Sequence, residues 1–136
     1  MKYYPFFFLL LLSVVLGCGK GHVHLKGKVV FADDGSPVVC GTVLFASPTF
    51  QSRGTIDPNG NFAIGSYDKA DGLPPGTYEV AVIGAFVDLD PSGFKIHDLV
   101  DPKWTSPATS GLKVDVDKTT KFLEVKVDRN PVPMPK

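Results

Sequence analysis

The sequence predicts an all-β protein: a single antiparallel β-sandwich of about seven short strands, following a secretory signal peptide. Three observations predict it. Apolar and polar residues alternate with a period of two in several separate segments. Turn signals rich in Asp, Gly, Asn and Pro punctuate the chain between those segments. No window beyond Cys18 shows a helical period.

The first segment is a leader. Met1-Lys2 gives it a positive start, Phe6 to Leu12 is an unbroken apolar run, and Val14-Val15-Leu16-Gly17-Cys18 follows. Aliphatic residues, a small residue and then a cysteine have the form of a lipoprotein cleavage site. The expectation is a signal peptide over residues 1–17, removed before a diacylated Cys18. A lipidated tether (18–22) then leads to the sandwich (23–129) and a flexible Pro-rich tail (130–136). A membrane-spanning helix is the competing reading, but Tyr3 to Gly17 falls short of the about 20 residues a span needs, and it contains Pro5. A plain secretory signal with an incidental cysteine is the other. Several acyl chains on one cysteine meet the requirement of two signals for stable anchoring. The location this implies is the cell envelope. Gly19 is not aspartate, so outer-membrane delivery is favoured if the cell has two membranes.

The elements follow in order. Val23, Leu25, Gly27, Val29 and Phe31 share one face of an extended segment, and His22, His24, Lys26 and Lys28 share the other. Asp33-Asp34-Gly35-Ser36-Pro37 is a turn. Val38 to Phe45 is apolar enough for a central strand, with Gly41 a candidate bulge. Arg53 to Ile56 and Phe62 to Ile64 are short strands around the turn Asp57-Pro58-Asn59-Gly60. Tyr67 to Gly76 is a polar loop. Tyr78, Val80 and Val82 alternate with polar or small residues in the next strand. Residues 86–111 read as one long irregular stretch. Leu112, Val114 and Val116 alternate in a further strand, Lys118-Thr119-Thr120 turns, and Leu123, Val125 and Val127 alternate in the last. Six or seven such strands read as two sheets packed face to face.

Composition narrows the partners. The chain carries 14 basic and 14 acidic side chains, of which cleavage would remove only Lys2. A near-neutral chain with no basic run argues against nucleic acid and against a polybasic membrane-docking surface. With Cys18 lipidated, Cys40 has no intramolecular disulfide partner. Its neighbours Val38, Val39, Gly41 and Val43 predict a buried, inert thiol.

Four motifs in order carry a family resemblance. Gly27-Lys28-Val29, Gly35-Ser36-Pro37-Val38 and Gly41-Thr42-Val43-Leu44-Phe45 resemble the opening of the carboxypeptidase regulatory-like domain, a transthyretin-like (prealbumin-like) sandwich. Asp57 to Phe62 is similar to its central hairpin turn. Gly72-Leu73-Pro74-Pro75-Gly76-Thr77-Tyr78-Glu79-Val80 is similar to the Pro-Gly-x-Tyr start of one of its strands. Trp104 to Leu112 is similar to a segment of short bacterial lipoproteins that carry this one domain. The resemblance runs from Gly27 to Val127. It implies a non-enzymatic accessory module of the envelope, with no cofactor and no peptidase chemistry. Tyr78 is expected to plug the core while its hydroxyl finds a partner at the edge. Related sandwiches form a lysine–asparagine crosslink beside a buried acid, but the position concerned is Val82 here.

Several constellations compete as sites. His22, His24 and His97 are metal-ligating types, but Lys26 and Lys28 flank the first two, and a solvated strand face is the expectation. Asp57 to Asn61 lacks the spacing of a helix-loop-helix calcium loop. Asp88, Asp90, Asp98 and Asp101 offer at most a weak calcium site. His97-Asp98 has no nucleophile elbow to serve. Catalytic and metal-binding residues are therefore assigned to none. Trp104, Phe94 and Phe86 are the candidate binding surface, for an envelope protein or a glycan, since binding residues concentrate on loops. The competing reading folds the loop back so that Trp104 seals one end of the sandwich.

Overall fold

The computed structural model describes residues 22–65 and 72–134. Among them the chain forms nine strands: β1 (Lys26–Phe31), β2 (Thr42–Ala46), β3 (Gln51–Thr55), β4 (Asn61–Ala63), β5 (Gly76–Ile83), β6 (Phe86–Asp88), β7 (Ile96–Asp98), β8 (Lys113–Val116) and β9 (Phe122–Val127). A 3-10 turn at Pro102–Thr105 and one helical turn at Pro107–Ser110 lie between β7 and β8. The expected all-β sandwich is what forms.

One sheet has the order β4-β1-β9 and the other β3-β2-β5-β8, with β6 and β7 as a separate hairpin. Among the described residues the ladders are antiparallel except that of β1 with β9, which runs parallel from Lys26↔Phe122 to Phe31↔Val127. The inward residues are those the alternation marks. Leu25, Val29, Phe31, Val43, Phe45, Phe62, Tyr78, Val80, Val82, Val116, Val125 and Val127 form one buried cluster drawn from both sheets.

An aromatic chain crosses between the sheets. Phe62 of β4 lies 6.2 Å from Phe45 of β2, and Phe45 lies 6.3 Å from Tyr78 of β5 in edge-to-face geometry, a favourable arrangement for ring quadrupoles. The Tyr78 hydroxyl donates to the Pro74 carbonyl at 2.5 Å, as expected, and burial raises its pKa above the usual value. Phe62 is also the cross-strand partner of Gly27. A Cβ on Gly27 would stand 2.2 Å from the Leu123 carbonyl oxygen and 2.4 Å from the Phe62 ring.

Several boundaries move, among them that of β3, which spans Gln51–Thr55 rather than Arg53 to Ile56. The central strand begins at Thr42 rather than Val38, because Gly41 takes φ +113° and breaks the extended run. Val38 is still buried, and its amide donates to the Val29 carbonyl. Residues 86–98 are not irregular: β6 and β7 pair around Asp90-Pro91-Ser92-Gly93, where the Ser92 hydroxyl donates to Asp90 at 2.5 Å. Asn130 belongs to the folded body, since its side-chain amide donates to the Asp98 carbonyl and its backbone amide to that of Leu99.

Two stability changes follow. Gly27→Ala is expected to destabilise the fold by at least about 2–3 kcal/mol through overpacking. Tyr78→Phe, which removes only the hydroxyl, is expected to cost about 1 kcal/mol. Urea denaturation monitored by circular dichroism measures both.

Candidate functional site

The β6–β7 hairpin follows β5 at its Ile83 end. Its apolar side chains face water: Phe94 is 90% exposed, and Phe86, Leu89 and Ile96 are also exposed. The loop folds back so that Trp104 joins the core, as one of the two readings of this stretch has it, and this corrects its assignment to a surface with Phe94 and Phe86. Trp104 is only 8% exposed and belongs to the core cluster. Its indole Nε1 donates to Asp128 Oδ2 at 3.4 Å, and Lys103 reaches the same oxygen at 2.5 Å while lying 5.7 Å from the centre of the Trp104 ring. An aromatic of this size buries where its one polar atom finds a partner, and Asp128, just beyond β9, supplies it. Asp101 caps the 3-10 turn by accepting from the Lys103 amide at 3.0 Å, which holds Lys103 and Trp104 in place.

The missed feature is therefore the hairpin itself, with Leu89 and Ile96 beside Phe86 and Phe94. The Asp90 to Gly93 turn was its sequence signal. Strands of three residues are too short for the alternation to register.

Cys40 is half-buried rather than buried, and its thiol donates to the Phe86 carbonyl at 3.3 Å. It thus touches the base of the hairpin. The histidines are not gathered. His22 and His24 precede β1, and His22 packs edge-on against Phe50 at 5.7 Å. His97 is in β7, beyond the opposite end of β5. Among the described residues no group of three or more His, Cys, Asp or Glu side chains is placed to hold a metal ion. Val82 is buried, where a crosslinking sandwich would carry its acid. Asp90 and Asp101 both cap turns. Cys18 lies outside the described residues, and among those described no helix is long and apolar enough to cross a membrane.

No protein-family model and no curated protein matches the chain. Among solved structures it is similar to a DUF3823 family protein from Bacteroides ovatus, with 14% identity over 78% of this chain and 44% of that one and a TM-score of 0.48. It is similar to BcpA, the major pilin subunit of Bacillus cereus, with 12% identity, coverage of 80% and 30%, and a TM-score of 0.45. It is also similar to the Bacillus anthracis TIE protein, with 18% identity, coverage of 81% and 16%, and a TM-score of 0.44. The chain spans less than half the length of each. All three proteins are bacterial.

Exposed and buried aromatics should respond differently. Phe94→Ser is expected to change stability by less than about 0.5 kcal/mol, whereas Trp104→Ala is expected to cost about 3–5 kcal/mol, both read by thermal denaturation. Hydrogen bonds from Lys103 and then Trp104 hold the Asp128 carboxyl below its ordinary value of 3.8. A depressed folded-state value stabilises fully above 3.8 and is lost as pH falls through the folded value. The stability gap between the native chain and Asp128→Asn should accordingly narrow as pH drops below 3.8, measured by denaturation at a series of acid pH values.

Proposed function

We propose that this protein is a lipid-anchored, non-catalytic binding or scaffolding module of the cell envelope, built on a carboxypeptidase regulatory-like sandwich. The anchor is Cys18, and the binding surface is the β6–β7 hairpin. The observation that carries the binding role is the hairpin's exposed apolar set, topped by Phe94 at 90% exposure. Burying such side chains stabilises only a complex, since in the free chain they face water. The observation that carries the anchor is the run Val14-Val15-Leu16-Gly17-Cys18 behind an apolar leader.

A protein partner suits this hairpin better than a glycan. Leu89 and Ile96 are aliphatic, and Trp104, the strongest sugar-stacking side chain in the stretch, is buried. The carbohydrate reading therefore rests on Phe94 and Phe86 alone. A metal-binding role would need His97 to join His22 and His24, which lie beyond the other end of β5.

Lipid labelling in cells tests the anchor. Cys18→Ser is expected to abolish acylation and leave an unprocessed precursor; labelling that survives the change overturns the anchor. In-cell crosslinking from a photoreactive residue at position 94 tests the surface. A single recurrent protein adduct, lost in a Phe86→Asp/Ile96→Asp variant, is expected. Recovery of glycan fragments would move the assignment to carbohydrate binding.

A further inference from the structure

The folded chain carries a basic surface that its sequence hides. The start of β1 and the turn from β8 to β9 bring His22, His24, Lys26, Lys118 and Lys121 around a concavity of about 550 Å³, and among the described residues no carboxylate lines it. Lys26, Lys118 and Lys121 are all exposed. The Lys26 amide donates to the Lys121 carbonyl at 3.1 Å, so two of these lysines sit on hydrogen-bonded backbone. Asp117 opens the same turn; the Thr119 amide and the Thr119 and Thr120 hydroxyls hold its carboxylate and keep it charged, so three lysines face this one carboxylate at the turn. Glu124, further along β9, pairs with Lys126.

An exposed aromatic lies beside these lysines. Phe122 is 61% exposed and is the register partner of Lys26 in the parallel ladder. Register partners point to the same side of a sheet, so the ring and the ammonium share the outer face. An apolar ring amid cations is the composition that binds a membrane interface, the ring entering the headgroup layer and the cations meeting anionic lipid.

Chain length identifies the occupant. His22 follows Cys18 by four residues, a covalent reach of at most about 14 Å. If Cys18 is acylated, the basic end is tethered within that reach of the lipid surface, and it meets the lipid charge once it comes within the Debye length of about 8–10 Å. The hairpin with Phe94 stands at the other end of β5, because β8 pairs with the Gly76 end of β5 and β6 follows its Ile83 end.

We infer that the end of the sandwich formed by Lys26, Lys118, Lys121 and Phe122 docks on anionic phospholipid headgroups of the membrane that carries Cys18, so that the β6–β7 hairpin points away from the bilayer. This rests on the lipid-anchor reading for its occupant. It runs counter to the composition, which argues against a polybasic membrane-docking surface, because these lysines come from segments far apart in the chain.

The test uses the full chain purified from its membrane and reconstituted in vesicles of phosphatidylcholine, alone or with phosphatidylglycerol. A water-soluble amine-acetylating reagent is read lysine by lysine by mass spectrometry, and the same spectra report acylation of Cys18. On the anionic vesicles, labelling of Lys26, Lys118 and Lys121 is expected to fall at least about fivefold, with Lys95 on the β6–β7 hairpin unchanged, and raised salt should reverse the protection. In Lys118→Glu/Lys121→Glu, and in Phe122→Ser, the protection of Lys26 should be lost. Equal labelling on both kinds of vesicle overturns the docking, and so does protection of Lys95 in place of the three. Protection by inorganic phosphate without vesicles would make the concavity a site for a free anion and also overturns it. A Cys18 without acyl chains removes the anchor alone; the same lysines, on chain mixed with the same vesicles, then decide the docking by themselves.

Discussion

The contact on which the sandwich depends is the Phe62 ring lying over Gly27. Gly27 has no Cβ, and the space one would need is taken by that ring and by the backbone of β9. The pairing does three things at once. It sets the β1–β4 register, because sliding β4 by one residue would turn Phe62 to the solvent face. It lets β9 pack closely along β1. It also aims Phe62 across the interior at Phe45 and, through it, at Tyr78, so the two sheets meet through rings rather than through aliphatic contacts alone. Tyr78 then hooks the loop before β5 through Pro74.

The parallel ladder of β1 and β9 gives the molecule its polarity. Parallel neighbours start at the same end, so the segment that leads into β1 and the turn that precedes β9 lie side by side. Both strands finish at the opposite end. There the guanidinium of Arg129 engages Asp33 and Asp34 and stacks 3.8 Å from the centre of the Phe31 ring. Exposed ion pairs of this kind contribute little by themselves. Stacking on a ring already fixed in the core pins the guanidinium, and with it the β1–β2 turn, to the end of β9. One end thus gathers lysines beside an exposed phenylalanine, and the far end is closed by a fixed polar network and carries the apolar hairpin.

The hairpin stays outside the core for a geometric reason. Both of its strands have only three residues and pair only with each other among the described residues. The backbone link to the body runs through Leu99 to the Ala85 carbonyl and through Asn130 to the Leu99 carbonyl. Such an element has no second layer to cover it, so its side chains meet water or a partner. Trp104, only a few residues later, is drawn inward because Asp128 stands where its indole nitrogen can donate.

The sequence by itself determined the class of fold, most of the strands and which face of each is buried. Those properties are local: a period of two marks the inward side chains of Val29, Val80 and Val125 wherever their strands end up, and Asp57-Pro58-Asn59-Gly60 turns the chain without help from distant residues. Tertiary structure alone decided which strands are neighbours, that β1 and β9 run parallel, that Trp104 is buried while Phe94 is not, and that Lys26 meets Lys118 and Lys121. These depend on pairing between segments far apart in the chain, and alternation states only that a face is buried, not what covers it. The candidate surfaces follow the same division, because a surface is defined by what the rest of the fold leaves uncovered.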